Sequence, residues 1–249
     1  MREKVWDVDR LAARHRPEGQ PVMHQNWGQL LFMHWRVKEE LLRPLIPRKL
    51  LIDTFAGSAW LAITPFTMWG ISAFPPFIPP VPGFSSMHEL NVRTYVHFDG
   101  VPGVWFFSLD ANSSAAVFAA RTFFFLPYFN AEIDLKQYGN RIDYKLRREE
   151  DPASELRVSW AIGEQLPQAQ PGSREFFLTE RYCLYTAKHG ELYRARIYHE
   201  PWLLQKAELI EFDSDLLAAN GLPEQPGQPI LHYAEKLAVD IWLLENLKA

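Results

Sequence analysis

Between His88 and Val96 the chain reads HELNVRTYV, and the two-residue period of an extended backbone sorts these side chains onto two faces. Glu89, Asn91, Arg93 and Tyr95 share one face; Leu90, Val92, Thr94 and Val96 share the other. Four hydrogen-bonding side chains in a row suit the lining of a polar cavity, where a carboxylate and a guanidinium orient a small ligand. A solvated outer face carrying a Glu–Arg pair fits the same alternation, and alternation alone does not choose between the two. A second cluster is Arg121, Pro127 and Tyr128. Arg121 ends a helical pattern whose carbonyls it can cap, and Pro127 can open a strand, so both have structural work available. Tyr128 then starts that strand with its hydroxyl outward or into a cavity. The apolar run Phe123–Leu126 beside it is expected to be buried, and a buried arginine needs a carboxylate or several carbonyls.

Other chemistries find less support. The eight histidines (15, 24, 34, 88, 97, 189, 199 and 232) form no HxH, HxxxH or HExxH spacing, so they are expected to be core or surface residues and no metal site is expected. Ser113-Ser114 suits a helix cap better than a nucleophile, and no GxSxG elbow is present. The lone cysteine, Cys183, alternates between Tyr182 and Leu184 and reads as a small packing residue. There is no P-loop and no GxGxxG, so no nucleotide cofactor is expected.

These residues sit in a chain of 249 with 47% hydrophobic, 22% charged and 14% aromatic residues, 19 Pro and a net charge of −4. The composition is that of a globular protein, large enough to bury a sizeable core, and the negative balance argues against general nucleic-acid binding. No composition shift or linker divides it, so residues 1–249 read as one domain. One thiol excludes an internal disulfide framework, and the charged opening residues lack a signal-peptide core; the cytoplasm is the expected compartment. Thr54 to Met87 carries no Asp, Glu, Lys or Arg, but Pro65 and interspersed Ser and Thr favour a buried strand and an ordered loop over a membrane span.

The elements that must position the candidates follow from periodicity and punctuation. Residues 1–20 suggest a helical extension. NWGQLLFMHWRV reads as a strand, KEELLRPLIP as a short helix, and LIDTFAGSAWLAITPFTM as a strand pair turning at Ala56-Gly57. The segment 74–84, FPPFIPPVPGF, reads as a rigid proline-rich loop packed on the body and able to roof a pocket, or less readily as a polyproline ligand for a partner. HELNVRTYVHF and GVWFFSLDA form a hairpin at Asp99-Gly100, followed by a helix capped at Asn112 or Ser113. Strands continue through PYFNAEIDLKQYG, NRIDYKLRRE, SELRVSWAIGE, REFFLTERYCLYT, ELYRARIYHEP and LLQKAELIEF. DSDLLAANGLP reads as a short helix, and the last segment, AEKLAVDIWLLENL, is a strand or a helix. About ten strands with a few short helices make the chain mainly β, closed into a barrel or curled into stacked sheets.

ELNVRTYV, PGVWFFSLDA, AARTFFFLPYFNAEI, FLTERYCLYT and HEPWLLQKAEL, in this order, resemble the YqjF-like family of uncharacterised proteins (domain of unknown function 2071), from about Asn26 to the C-terminus. The resemblance implies the acetoacetate decarboxylase-like fold, a closed, cone-shaped antiparallel β structure with its site inside. That relative's signature is an arginine, five residues, a proline and the lysine that forms a Schiff base. Here Arg121 and Pro127 keep the spacing, but Tyr128 and Phe129 stand at the lysine positions, so imine chemistry is unavailable there. The resemblance also places Glu89 where the relative keeps an active-site glutamate, and so favours an inward-facing Glu89 row.

The expected function is small-molecule binding in the barrel interior, with acid–base catalysis on a small carbonyl or carboxylate compound as its enzymatic form. Glu89 would be the acid or base and Tyr128 the oxyanion donor. Arg93 or Arg121 would clamp an anion, with Asn91 and Tyr95 completing the lining. The rival class is a non-catalytic ligand sensor or a scaffold whose aromatic residues fill the barrel. The expected partner is a small organic molecule rather than nucleic acid or a membrane, and self-association stays open.

Overall fold

The computed structural model describes residues 8–73, 86–224 and 227–247. Its strands are β1 (Met23–Val37), β2 (Leu51–Ile52), β3 (Ala59–Ala73), β4 (Ser86–Phe98), β5 (Val101–Ala111), β6 (Tyr128–Tyr138), β7 (Arg141–Arg148), β8 (Glu155–Gln165), β9 (Cys183–Lys188), β10 (Glu191–His199), β11 (Leu204–Ser214), β12 (Ile230–Ile241) and β13 (Glu245–Asn246). Four short helices join them: α1 (Glu39–Leu42), α2 (Ser114–Ala119), α3 (Arg174–Thr179) and α4 (Leu216–Ala219).

The pairings close the sheet twice. One circuit runs β4-β5-β9-β10-β12-β1-β3 and back to β4; the other runs β5-β6-β7-β8-β11-β12-β1-β3-β4. Strands β12, β1, β3, β4 and β5 therefore form a wall common to a smaller and a larger ring. Each ring has its own core: Leu30, Phe32, Trp60, Phe66, Tyr95 and Leu109 face the smaller, while Leu31, Met33, Leu61, Leu90, Val92 and Trp160 face the larger. This arrangement explains the uncharged stretch in the sequence. A strand with apolar material on both faces reads as a continuous hydrophobic run, and in β3 Ala59, Trp60, Leu61, Ala62 and Ile63 are all at most 1% exposed. Strand β7, a wall of the larger ring alone, alternates; Ile142, Tyr144 and Leu146 are buried between more exposed neighbours. Among the described residues no helix is long and apolar enough to cross a membrane.

Closure is mostly antiparallel, with two parallel seams that the sequence does not announce. Strand β5 pairs in parallel with β9 at Val104 and Trp105, then with β6 from Leu109 to Ala111. The β4–β5 hairpin turns at Asp99-Gly100 with φ of 49° and 78°, the mirror-image turn that matches strand twist.

Several local expectations are corrected. Within residues 8–20 of the N-terminal extension the helix is a single 3₁₀ turn, Ala12–Arg14, next to which Leu11 points outward while Ala13 points inward, because side-chain and backbone contacts to the body replace helix packing. Arg10 pairs with Asp53, and Arg16 with Asp240 at 2.6 Å. Leu51–Ile52 pairs with β4 rather than folding back on β3. The start of REFFLTERYCLYT is helix α3, whose Ser173 hydroxyl accepts the Phe176 N–H at 3.1 Å; a solid apolar run carries no period to distinguish strand from helix. The last long segment is strand β12, joining β1 along eleven residue pairs. The proline-rich loop, 74–84, lies outside the described residues.

Candidate functional site

The smaller ring brings Glu89 and Tyr128 together. Glu89 lies on β4 opposite Phe66 of β3 and Ala111 of β5, and Tyr128 opens β6 opposite Leu109 of β5. On the strand between them Ala111, opposite Glu89, contributes only a methyl, and the phenol reaches across. Tyr128 Oη donates to Glu89 Oε2 at 2.6 Å, and the two residues are 8% and 2% exposed. Burial pushes the Glu89 carboxyl up to about 8, against the opposing pull of the Tyr128 hydrogen bond. Burial and the neighbouring carboxyl hold the Tyr128 phenol well above its usual value. Below pH 8 the pair therefore holds two protons, of which one closes the bond between them. The other is available to a third oxygen.

The rest of the Glu89 row is also buried: Asn91 is 4%, Arg93 9% and Tyr95 0% exposed, so the solvated-face reading of this strand is excluded. Successive rungs lie about 6.6 Å apart, two residues of extended chain. Asn91 sits opposite Thr64, and Arg93 opposite Ala62, whose other neighbour is His34 of β1. The Arg93 guanidinium lies 5.5 Å from the centre of the Phe32 ring and has no carboxylate partner among the described residues. Tyr95 is fully employed: its hydroxyl donates to the Leu178 carbonyl at 2.7 Å and meets His34 Nε2 at 2.7 Å. It links α3 to the ring rather than presenting a free hydroxyl.

Arg121 does not belong to this group, contrary to expectation. Its side chain is 45% exposed; Nε donates to the Tyr128 carbonyl at 2.6 Å and Nη2 reaches Glu150 at 3.2 Å. It steadies the main chain of Tyr128 from outside. The cause is the backbone between them. After α2, capped by Ser113, the chain makes a π-turn over Ala120–Phe124 and ends with Phe125 left-handed at φ 54°. That turn swings Arg121 and Phe123 outward, so Phe123 is 67% exposed rather than buried. Cys183 is buried at 1%, and burial pushes its thiol up to about 12, in keeping with a packing role.

Three polar residues that sequence reasoning passed over share the interior: His34, Thr64 and His232. His34 and His232 lie 6.4 Å apart, centre to centre, and burial lowers both, His232 to about 4 and His34 well below 6.5. Their buried His34 Nδ1, His232 Nδ1 and Thr64 Oγ1, with Asn91 Oδ1 and Arg93 Nε, have no hydrogen-bond partner among the described residues. The available signal was parity within β1, where Leu30, Phe32 and His34 share a side. Which side faces the Glu89 row depends on strand register.

Two recesses open on the outside. One, of about 290 Å³, lies in the fork between β6 and β9 and is lined by Trp105, Phe107, Phe125, Pro127 and Thr186. The other, of about 370 Å³, lies against the N-terminal segment and is lined by Arg14, Tyr182, Tyr198 and His199. Neither is lined by Glu89, Arg93 or Tyr128. The interior around these three is polar and bordered by Trp27, Phe66 and Phe32.

Solved structures share this architecture. The enduracididine biosynthesis enzyme MppR, complexed with pyruvate, superposes with a TM-score of 0.66 at 13% identity, covering 92% of this chain and 91% of that one. Acetoacetate decarboxylase from Legionella pneumophila superposes with a TM-score of 0.60 at 10% identity, covering 100% and 98%. At such identities the likeness shows the fold, which is acetoacetate decarboxylase-like. In sequence, the uncharacterised protein YqjF of Bacillus subtilis (strain 168) is 40% identical over 230 residues, 92% of this chain and 94% of that protein. The profile of the family DUF2071, described as an uncharacterised conserved protein, matches residues 24–238. The chain therefore belongs to the DUF2071 family of uncharacterised conserved proteins, built on the acetoacetate decarboxylase-like fold.

Proposed function

We propose that the interior of the smaller ring binds a small carbonyl or carboxylate compound and that Glu89 and Tyr128 handle a proton on it. The observation that carries this reading is the enclosed Tyr128–Glu89 hydrogen bond of 2.6 Å. A carboxyl buried without a cation beside it costs stability, and a fold retains such groups most readily where proton transfer is useful. At neutral pH the pair is doubly protonated, and its spare proton stabilises charge developing on a ligand oxygen. Arg93, a buried guanidinium without a carboxylate among the described residues, supplies the attraction for an anionic group. Imine formation at the position of Tyr128 is ruled out by its phenol. MppR was solved with pyruvate, a small keto acid, which makes keto acids the first compounds to try. The single thiol suits action in the cytoplasm.

The test is thermal stability against a panel of small keto acids, lactones and aldehydes, in the native protein and in Glu89→Gln and Tyr128→Phe. A true ligand at 100 times its dissociation constant stabilises the fold by about 2.7 kcal/mol. Turnover of that ligand, lost in both variants, is the expected result. Binding without turnover assigns the protein to ligand sensing. The close walls of Trp27, Phe66 and Phe32 favour a second reading, a scaffold with a filled core, and an absence of stabilisation across the panel selects it.

A further inference from the structure

The rung formed by His34, Ala62 and Arg93 lies two rungs, about 13 Å, along the strand from Glu89. Ala62 contributes only a methyl, so the imidazole and the guanidinium converge above it on the Tyr95 hydroxyl. Proton counting fixes what this rung offers. The Leu178 carbonyl can only accept, so Tyr95 spends its single proton there at 2.7 Å. At the 2.7 Å contact with His34 Nε2 the imidazole must then be the donor. Burial, with His232 and Arg93 close by, keeps His34 neutral, so it carries no second proton and its Nδ1 is a bare lone pair. That atom is buried and has no partner among the described residues, as is the case for Arg93 Nε. An unmatched acceptor and a cation that hydrogen-bonds Tyr95 but has no carboxylate among the described residues thus stand side by side in an interior where unpaired polar groups are costly. Asn91 and Thr64, on the next rung toward Glu89, add one unmatched atom each.

We propose that this deep end of the ring is a subsite for a small carboxylate bearing a hydroxyl on the adjacent carbon: Arg93 takes the carboxylate, and His34 Nδ1 accepts the hydroxyl proton. The proposal rests on reading the ring interior as a ligand site and adds a substrate class to it. A simple carboxylate leaves the His34 lone pair unmatched, and a keto acid presents to it a second acceptor in place of a donor. The arrangement therefore selects for hydroxy acids over both.

The experiment is calorimetric titration of the native protein with lactate, propionate and pyruvate, which share a three-carbon carboxylate frame. Lactate is expected to bind about tenfold more tightly than propionate or pyruvate, the ratio that one satisfied buried hydrogen bond to an otherwise orphaned group supports. His34→Phe is expected to bring lactate down to propionate, with propionate itself little changed, and Arg93→Met to abolish binding of all three. Equal binding of lactate and propionate by the native protein overturns the proposal and needs no variant. So does a lactate preference that survives in His34→Phe. Tighter binding of pyruvate than of lactate overturns the hydroxy-acid subsite while leaving the ligand-binding reading intact, and binding of none of the three counts against both.

Discussion

Glu89 is a carboxyl kept neutral by its surroundings, and the thermodynamic consequence is open to measurement. In the unfolded chain it ionises near 4.5; in the folded protein it does so near 8. Between these values the unfolded state has released the proton and the folded state still holds it, so stability due to Glu89 is complete below pH 4.5 and is lost as pH rises to 8. Glu89→Gln removes this dependence. The stability of the variant relative to the native protein is expected to rise by about 3–5 kcal/mol across that range, measured by denaturant titration at fixed pH values. Acid unfolding remains in both proteins, because His232, lowered to about 4, contributes stability above pH 6.5 that disappears as pH falls to 4. Tyr128→Phe has a different signature. Its hydroxyl pulls the Glu89 carboxyl down, so the variant should titrate above 8 when the carboxyl is followed by carbon NMR.

Short elements of low intrinsic stability position the site, and each leans on one or two local devices. Helix α3 has six residues and survives because Ser173 caps it and because Phe176, Phe177 and Leu178 are buried. Its Leu178 carbonyl is the anchor for Tyr95. Ser173→Ala is expected to cost about 1 kcal/mol of stability by denaturant titration, the usual value of such a cap. The parallel seam of β5 with β9 depends on close approach at Gly103. A methyl there would lie 2.7 Å from the Tyr185 ring and 2.8 Å from the Cys183 carbonyl. Gly103→Ala is expected to destabilise by roughly 1–3 kcal/mol, with earlier hydrogen exchange in β9 than in β7.

Across the whole molecule, the two rings divide the work. The larger holds a hydrocarbon core with one enclosed ion pair, Arg148 to Asp110 at 2.5 and 3.0 Å, with the Arg148 guanidinium 4.1 Å from the centre of the Phe129 ring. The smaller holds the unmatched atoms of His34, Thr64, Asn91, Arg93 and His232, while the larger has Tyr144 Oη and Trp160 Nε1 without partners among the described residues. Breaking the ion pair on one side leaves a buried charge, so Asp110→Asn is expected to cost about 3–5 kcal/mol in thermal or chemical unfolding, whereas the apolar double variant Asp110→Leu/Arg148→Met costs much less. Because Asp110 faces the larger ring, the double variant should leave binding of small carboxylates in the smaller ring unchanged.

Local physics alone was enough to determine the mainly β class, the β4–β5 hairpin, a helix cap at Asn112 or Ser113 and the two-faced character of Glu89–Val96, since turn chemistry and side-chain alternation are short-range properties. The spacing of Arg121, Pro127 and Tyr128 was equally legible, because it depends only on residue identity; that Tyr128 stands where a relative keeps an amine is what the resemblance implies. The double closure was not, because it needs the parallel seams of β5, and pairing between distant strands leaves no local mark. For the same reason tertiary structure alone decided that the Glu89 row faces inward, that His34 and His232 join it, and that Arg121 stays outside. A π-turn and one left-handed phenylalanine turn Arg121 away, and strand register, not strand propensity, sets which buried face meets which.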